Sequence, residues 1–359
     1  MAGMKIRILA FFLCAVFVGC SSEKACEASY PIGVMLPLEG SCADAAKEVV
    51  RGMEIACEKI NASGGLDGIP VRLDVRNAEE NGSSFLETFD SMRSSGVKVF
   101  NVGFGAECIT KKNILAKCGD VFVNFMCQYP PMTLDMPNCT RIFVNGAQVG
   151  DLMASAVKRP DGGNVQLVVM NVDNFFGKAD GDYLSFDLRR EKTKLYRDVF
   201  GVGESRFDIF SSQIMRLNAD YVFYVGYGAE LPAFADSLSR AGYGGTVVAN
   251  CGFNGGDFPA PSGVSLYRVK TAFELGKVYG AESVGFAAAY KSRFGVAPTW
   301  KSAYGYDSIV LLAQALRKAR FNPSKMRDCF RNAKYEGAVG KIEFDSQADS
   351  TSELSLVKM

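Results

Sequence analysis

Apolar strand-like runs alternate with helix-like patterns along most of this chain, and this order restricts the possible folds more than any other feature. Ile32–Leu36 is a continuous apolar run, typical of a strand buried on both faces of a parallel sheet. Apolar residues then recur every three or four positions from Ala46 to Ile60, which predicts one buried face of a helix. The segment Asn61–Gly65 ends that helix with two glycines.

The same alternation continues towards the C-terminus. Further strand candidates are 71–75, 97–102, 121–125, 165–170, 221–225, 246–249, 341–345 and 354–358. Helical patterns lie near 83–95, 107–118, 146–158, 205–217, 229–241, 283–294 and 301–320. Repeated alternation of this kind predicts an α/β fold with parallel sheets and helices on both faces.

A break near 141–150 divides the alternation into two series. The second series starts at Val165, and two long helices after residue 270 interrupt it. The late strand candidates then return to a sheet, so we expect two discontinuous lobes with a cleft between them. Small molecules bind outside the carboxyl ends of the strands in such sheets.

The first twenty residues have the order of a secretory signal. Lys5 and Arg7 precede the apolar run Ile8–Val18, and Gly19 stands directly before Cys20. A cysteine at this place makes the segment resemble a bacterial lipoprotein signal, so cleavage before Cys20 and lipidation of its thiol are expected. The run is too short for a typical transmembrane helix. A secreted protein with a free Cys20 is the alternative.

Composition excludes several classes of function. The chain of 359 residues has a formal net charge of +1 and no basic run, which argues against nucleic acid as a partner. It contains no histidine, so Ser-His and Cys-His catalysis and imidazole zinc sites are excluded. We therefore expect no enzyme activity, no cofactor and no metal.

Nine cysteines remain after the signal and Cys20. They are Cys26, Cys42, Cys57, Cys108, Cys118, Cys127, Cys139, Cys251 and Cys329. An odd number cannot pair completely within one chain, and the absence of C-x-x-C spacing gives no support for a redox or zinc-ribbon motif. We expect a few buried thiols with one or two disulfides, whose connectivity stays open.

Several collinear segments resemble one protein family. They are Ile32–Gly40 (IGVMLPLEG), Arg51–Ala56, Ile60–Gly65, Asn218–Gly228, Tyr306–Asp307 and Tyr335–Asp345. In this order and spacing, from about Tyr30 to the C-terminus, they look like the branched-chain amino-acid-binding (Leu/Ile/Val-binding) type of periplasmic solute-binding protein, in its lipoprotein form.

The resemblance implies a type I periplasmic binding protein: two doubly wound, Rossmann-like lobes joined by a hinge of three crossovers. The implied parts are a signal peptide at 1–19, a lipidated cysteine and tether at 20–29, lobe 1 at 30–145 plus 270–336, and lobe 2 at 146–269 plus 337–359. Such a protein is a monomer anchored on the periplasmic or extracytoplasmic side of the bacterial envelope. It delivers a small amino-acid-like or amide-like ligand to the permease of an ABC importer.

The resemblance also places candidate ligand contacts at strand ends. They are Ala106, Glu107, Cys127, Gln128, Phe176, Tyr227, Asn250 and Cys251. In the family, small hydroxyls and helix amides meet a ligand carboxylate near the first four positions. Aromatic rings cover the ligand at Phe176 and Tyr227, and an acid pairs with its ammonium near Asn250 or Cys251.

Two of these positions depart from the family pattern. An ionised Glu107 would repel a carboxylate, and Cys251 supplies no counter-charge for an ammonium. The ligand can then be an inverted amino acid, a cation, or an uncharged amide-like or aromatic compound. Alternatively, Glu107 faces solvent, Phe176 and Tyr227 are core residues, and the two cysteines are small buried apolar residues.

Three function classes follow from these observations. The leading hypothesis is a solute-binding protein of an ABC importer, and the alternative is an envelope ligand sensor or regulator on the same fold without a transport role. An enzyme is the weakest hypothesis, since only Glu107 with Cys108 or Cys127 suggests a reactive cluster. Fold alone does not separate transport from sensing.

Overall fold

The computed structural model describes residues 29–78, 84–103, 110–134, 136–158, 163–189, 192–250, 258–277 and 280–359. These residues form two α/β lobes, each built on a twisted sheet of parallel strands. This confirms the predicted fold class. Within the described ranges, no helix is both long enough and apolar enough to cross a membrane.

The first sheet has five parallel strands in the order β2-β1-β3-β4-β5. They are β1 (Tyr30–Leu36), β2 (Val71–Asn77), β3 (Val99–Gly103), β4 (Val121–Phe125) and β5 (Cys139–Arg141). Its described helices are α1 (Ala43–Ala62), α2 (Phe85–Ser94) and α3 (Lys112–Leu115). The order of the strands places the carboxyl ends of β1, β3 and β4 side by side.

The second sheet has six strands in the order β14-β10-β9-β8-β6-β7. They are β6 (Val165–Val172), β7 (Thr193–Phe200), β8 (Tyr221–Val225), β9 (Thr246–Ala249), β10 (Ser265–Thr271) and β14 (Leu354–Lys358). Its helices are α4 (Gly146–Ala154), α5 (Phe175–Leu188), α6 (Asp208–Arg216) and α7 (Leu231–Arg240). Only β14 runs antiparallel to its neighbour, and it joins this sheet from the far end of the chain.

The chain returns to the first lobe after β10. Helices α8 (Gly280–Phe294) and α9 (Trp300–Lys318) lie against α1, and the short α10 (Met326–Phe330) follows. A small antiparallel sheet of β11 (Lys334–Gly337), β12 (Gly340–Phe344) and β13 (Ser350–Ser352) then precedes β14. The late strand near 341–345 therefore lies in a separate sheet, whereas 354–358 enters a large one.

Glycines allow α1 and α9 to cross at close range. A β-carbon added to Gly52 would overlap the backbone carbonyl of Ser302, and one added to Gly305 would overlap that of Val49. At the C-terminal end of α1, Gly64 and Gly65 have φ angles of 94° and 67°. Glycine adopts this left-handed region without strain, so the predicted helix end is confirmed.

Three elements of the second lobe were not predicted from the sequence. Helix α5 contains Gly177 and Gly181 and lacks a clear apolar stripe, so its periodicity is weak. Strand β7 lies at the sheet edge, where most of its residues stay partly exposed. Strand β10 mixes buried basic residues, Arg268 and Lys270, with apolar ones, which hides its strand character.

Candidate functional site

The strand ends of both lobes approach each other at one place. Tyr129 follows β4 of the first sheet, and Phe175 is the first residue of α5, directly after β6 of the second sheet. Their rings are in edge-to-face contact, with centroids 5.4 Å apart. The carboxyl edges of the two sheets therefore face each other, which is where ligands bind in open α/β folds.

The loop Cys127–Pro130 on the first lobe is fixed through its backbone carbonyls. Arg141 is fully buried and donates hydrogen bonds to the carbonyl oxygens of Cys127 (3.0 Å), Tyr129 (2.9 Å) and Pro130 (3.1 Å). The amide of Gly146 donates to the remaining carbonyl, that of Gln128, at 2.8 Å. All four consecutive carbonyls are therefore engaged, so the backbone that carries Gln128 and Tyr129 is held in one conformation.

Arg141 is itself held by a carboxylate from the end of the chain. Its Nε lies 2.7 Å from Asp349 Oδ1, and Asp349 Oδ2 also accepts hydrogen bonds from Thr133 (3.1 Å) and Asn145 (2.8 Å). A buried charge is tolerated when it is paired and its remaining hydrogen-bond sites are satisfied, as they are here. The pair joins the Cys127–Pro130 loop to the segment just before β13.

The second lobe contributes stacked aromatic rings. Phe176 stacks on Tyr227, with centroids 5.6 Å apart and planes inclined by 29°. Asn174 caps the start of α5 by accepting a hydrogen bond from the amide of Gly177 at 2.9 Å, and its Nδ2 donates to the Tyr227 hydroxyl at 2.8 Å. The hydroxyl of Tyr224 donates to the Tyr227 carbonyl at 2.9 Å. These bonds fix the Tyr227 ring at the end of β8.

Asn250 lies at the end of β9, beside the turn that carries Tyr227. It is 3% exposed, and its backbone amide donates to the Tyr224 carbonyl at 3.0 Å. Its Oδ1 accepts a hydrogen bond from the amide of Gly226 at 3.4 Å. Among the described residues, nothing accepts a hydrogen bond from Asn250 Nδ2.

Asp180 is a buried acid on α5 that lies close to Gly146, the first residue of α4. A β-carbon added to Gly146 would lie 2.7 Å from the Gln128 carbonyl oxygen and 3.1 Å from Asp180 Oδ1, so a glycine at this position lets these groups approach closely. Burial raises the pKa of Asp180 to about 7, and the charge of Arg141 limits that rise. Near neutral pH this carboxyl group is therefore divided between its protonated and ionised forms.

Five of the eight candidate contacts are described, and they occupy the facing edges. Cys127 and Gln128 follow β4, whereas Phe176, Tyr227 and Asn250 follow strands of the second sheet. Ala106, Glu107 and Cys251 lie outside the described residues, as does Cys20. The structure adds Tyr129 and Phe175, aromatic residues directly beside two predicted contacts. Their aromatic character next to those positions was the signal that could have identified them.

No disulfide joins two of the described cysteines. They are Cys42, Cys57, Cys118, Cys127, Cys139 and Cys329. Cys127 is buried at the site, and burial raises the pKa of the neighbouring Cys139 thiol to about 12, so that thiol is not a nucleophile at neutral pH. No group of three or more metal-ligating side chains is found in the part of the chain that the structure describes.

Two surface grooves lie on the outer helical face of the first lobe. They enclose about 310 and 670 Å³ and share Lys59 of α1, with further walls from α8 and α9. Lys59 Nζ is satisfied there by Glu282 at 2.6 Å and by the hydroxyl of Tyr306 at 3.0 Å. This cluster is internally paired, and it lies away from the facing strand ends.

Comparison with protein families gives one match across nearly the whole chain. The family described as periplasmic binding protein matches residues 29–353. A curated relative, Leu/Ile/Val-binding protein homolog 3 of Brucella melitensis, is 24% identical over 266 residues, which cover 73% of this chain and 71% of the relative.

Solved structures show the same fold at low sequence identity. The leucine-binding protein LivK of Thermotoga maritima has a TM-score of 0.76 at 19% identity, covering 92% of this chain and 97% of that one. An ABC transporter solute-binding protein of R. palustris in complex with benzoate has a TM-score of 0.74 at 15% identity, covering 92% of this chain and 93% of that one. These two proteins share one architecture but differ in their ligands.

Proposed function

Because this chain belongs to the periplasmic binding protein family, we propose that it captures a small amino-acid-like or amide-like ligand between its two lobes and delivers it to the permease of an ABC importer. The observation that carries the proposal is the opposition of two strand-end surfaces. Tyr129, beside Gln128 on the first lobe, contacts Phe175, beside Phe176 on the second, and Phe176 stacks on Tyr227.

The chemistry of these surfaces supports a ligand with a flat or apolar body and polar ends. The stacked rings of Phe176 and Tyr227 offer an apolar face, and burial of apolar ligand surface there contributes most of the binding free energy. The amides of Gln128 and Asn250 are both almost completely buried, so they fix orientation rather than add charge. Relatives of the same fold bind leucine or benzoate, and both ligands fit this description.

Titration calorimetry tests the proposed ligand class and its site together. We expect at least one of leucine, phenylalanine, benzoate and benzamide to bind the wild-type protein with one site per chain. Replacement of the aromatic wall, Phe176→Ala, should then weaken binding by about 1–3 kcal/mol, since one large apolar contact is lost. Phe186→Ala is the matched control, because Phe186 lies on the same helix but is 77% exposed.

Two results of this experiment would contradict the proposal. If none of the four compounds binds, the ligand class is wrong. If a compound binds and Phe176→Ala has the same effect as Phe186→Ala, the site is wrong.

We also propose that the chain is anchored to the envelope membrane by a lipid on Cys20 and acts there as a monomer on the extracytoplasmic side. The proposal is supported by the charged n-region, the apolar run and Gly19 before the cysteine. The substitution Cys20→Ser should give an uncut precursor or a protein released from membranes, detected by fractionation and intact mass. Membrane association of that variant at the processed size would show that the lipid site lies elsewhere.

A further inference from the structure

Asn250 presents a buried hydrogen-bond donor at the facing edge of the second lobe. Its side chain is 3% exposed, and its Nδ2 donates to none of the described residues. Buried polar groups in folded proteins almost always have a partner, since a donor removed from water without an acceptor is destabilising. An orphaned donor at a strand end therefore indicates a group that is supplied from outside the chain.

The orientation of this amide is determined by its neighbour. Amide oxygen and nitrogen are assigned from their hydrogen-bond partners, and the backbone N–H of Gly226, 3.4 Å away, requires an acceptor. That acceptor is Asn250 Oδ1. The NH₂ group is consequently the end of the side chain that remains for another molecule.

Two described acids follow strands β6 and β8 of the same sheet, and each has a partner within the chain. Asp173, after β6, is paired with Lys178 at 2.6 Å. Glu230, after β8, accepts a hydrogen bond from the amide of Gly203 at 2.9 Å through Oε1, whereas its Oε2 has no partner among the described residues. The described hydrogen-bond partners of Asn250 are the neutral backbone groups of Gly226 and Tyr224, in and before the turn that carries Tyr227. This wall offers a neutral N–H donor, and a donor does not stabilise a cation.

We propose that Asn250 Nδ2 donates a hydrogen bond to an acceptor oxygen of the ligand, either a carboxylate or an amide carbonyl. The site thereby selects ligands that direct such an oxygen, and not an ammonium group, at the second lobe. This inference rests on the proposed function and assigns the substrate class of the same site. Asn250 is a specificity-determining residue in this account.

Two sets of matched compounds test whether binding requires the acceptor oxygen of the ligand. One set is 4-methylpentanoate, 4-methylpentanamide and 3-methylbutylamine, and the other is benzoate, benzamide and benzylamine. Within each set, the acid and the amide carry an acceptor oxygen, whereas the amine is a cation without one. Calorimetry on the wild-type protein should show binding of the acid or amide of at least one set, with the amine at least tenfold weaker.

The substitution Asn250→Asp replaces the Nδ2 donor. It is isosteric and retains an Oδ for the Gly226 amide, but it replaces the donor with an anionic acceptor. We expect at least tenfold weaker binding of the acid, a smaller loss for the amide and stronger binding of the amine. Asn250→Ala, in which no charge is introduced, should weaken the acid and the amide and leave the amine unchanged. This second variant decides the question if the first does not fold.

Asn171→Asp is the matched control for an acid introduced into the same sheet. Asn171 is also buried, and its Oδ1 accepts a hydrogen bond from Arg197 Nε at 2.7 Å, so a carboxylate there gains a counter-charge. The Asn171→Asp variant should bind all six compounds with the same dissociation constants as the wild-type protein.

The outcomes distinguish this inference from the proposed function. If the amines bind the wild-type protein more tightly than the acids and amides, or if both Asn250 variants leave acid and amide binding within twofold, the inference is overturned and the binding function stands. In that case Nδ2 bonds to a bound water instead of to the ligand. If leucine, phenylalanine and all six compounds fail to bind the wild-type protein, the proposed function fails, and the inference fails with it.

Discussion

Asp180 shows how burial of one residue makes the stability of this molecule depend on pH. Its pKa is raised from the ordinary 3.8 to about 7 because its carboxyl group is buried, and Arg141 only partly offsets this. The folded chain thus binds this proton more tightly than the unfolded chain does. The resulting stabilisation is fully present below about pH 4 and is lost as the pH rises through about 7.

The substitution Asp180→Asn should therefore flatten the pH dependence of unfolding. The quantity to compare is the difference in the free energy of unfolding, variant minus wild type. We expect this difference to rise by about 2–4 kcal/mol between pH 4 and pH 8. Urea denaturation followed by circular dichroism at several pH values measures this difference. A constant difference between the two proteins over that range would show that Asp180 has the same pKa in both states.

At the scale of the elements, the buried pair Arg141–Asp349 holds the Cys127–Pro130 loop in place. Removing one partner leaves a buried charge, so Arg141→Met should reduce the free energy of unfolding by roughly 3–5 kcal/mol. The double variant Arg141→Met/Asp349→Leu should lose less than the sum of the two single variants, because neither charge is then left unpaired. Additive losses in a denaturation cycle would show that the two side chains do not interact.

The crossing of α1 and α9 gives a second prediction at this scale. Gly52→Ala places a methyl group against the backbone of Ser302, and we expect a loss of about 1–3 kcal/mol because backbone must move. Gly285→Ala in α8 is the matched control. Gly285 is exposed, and a β-carbon there meets no atom within 4 Å. This alanine should stabilise the helix by about 0.5–1 kcal/mol. Equal effects of the two substitutions would contradict the close crossing.

The elements that could be predicted from sequence are those with a strong local pattern. β1 is a continuous apolar run and α1 has a regular apolar face, so both were identified within a few residues. Helix α5 was not predicted because Gly177 and Gly181 interrupt its pattern and allow close packing. A β-carbon on Gly177 would overlap the Val172 carbonyl. Close packing of that kind depends on tertiary neighbours and leaves no periodic signal in the sequence.

The candidate site could be predicted only in part, because some of its contacts join segments that lie far apart in the chain. Strand ends such as Gln128 and Asn250 follow from the order of the elements and from the family resemblance. The contact of Arg141 with Asp349 joins residues 208 positions apart, and that of Tyr129 with Phe175 joins different lobes. Such contacts depend on how the two lobes are placed relative to each other, which no local pattern encodes.

In the whole molecule, capture of a ligand between the lobes requires the two lobes to move. Tyr129 and Phe175 touch across the two lobes, so we expect these edges to separate when a ligand enters between them. The two lobes have separate sheets, so a rotation about the connecting segments leaves the strand pairing within each sheet intact. The free protein in solution should therefore be more open, on average, than the protein with bound ligand.

Small-angle X-ray scattering measures closure of the two lobes in solution. The wild-type protein is measured alone and with a saturating amount of whichever compound binds in calorimetry, and the mass from the same data reports whether it is a monomer. We expect a smaller radius of gyration with ligand, at the stoichiometry of one found by calorimetry. An unchanged radius of gyration at calorimetric saturation would contradict capture of the ligand by closure of the two lobes.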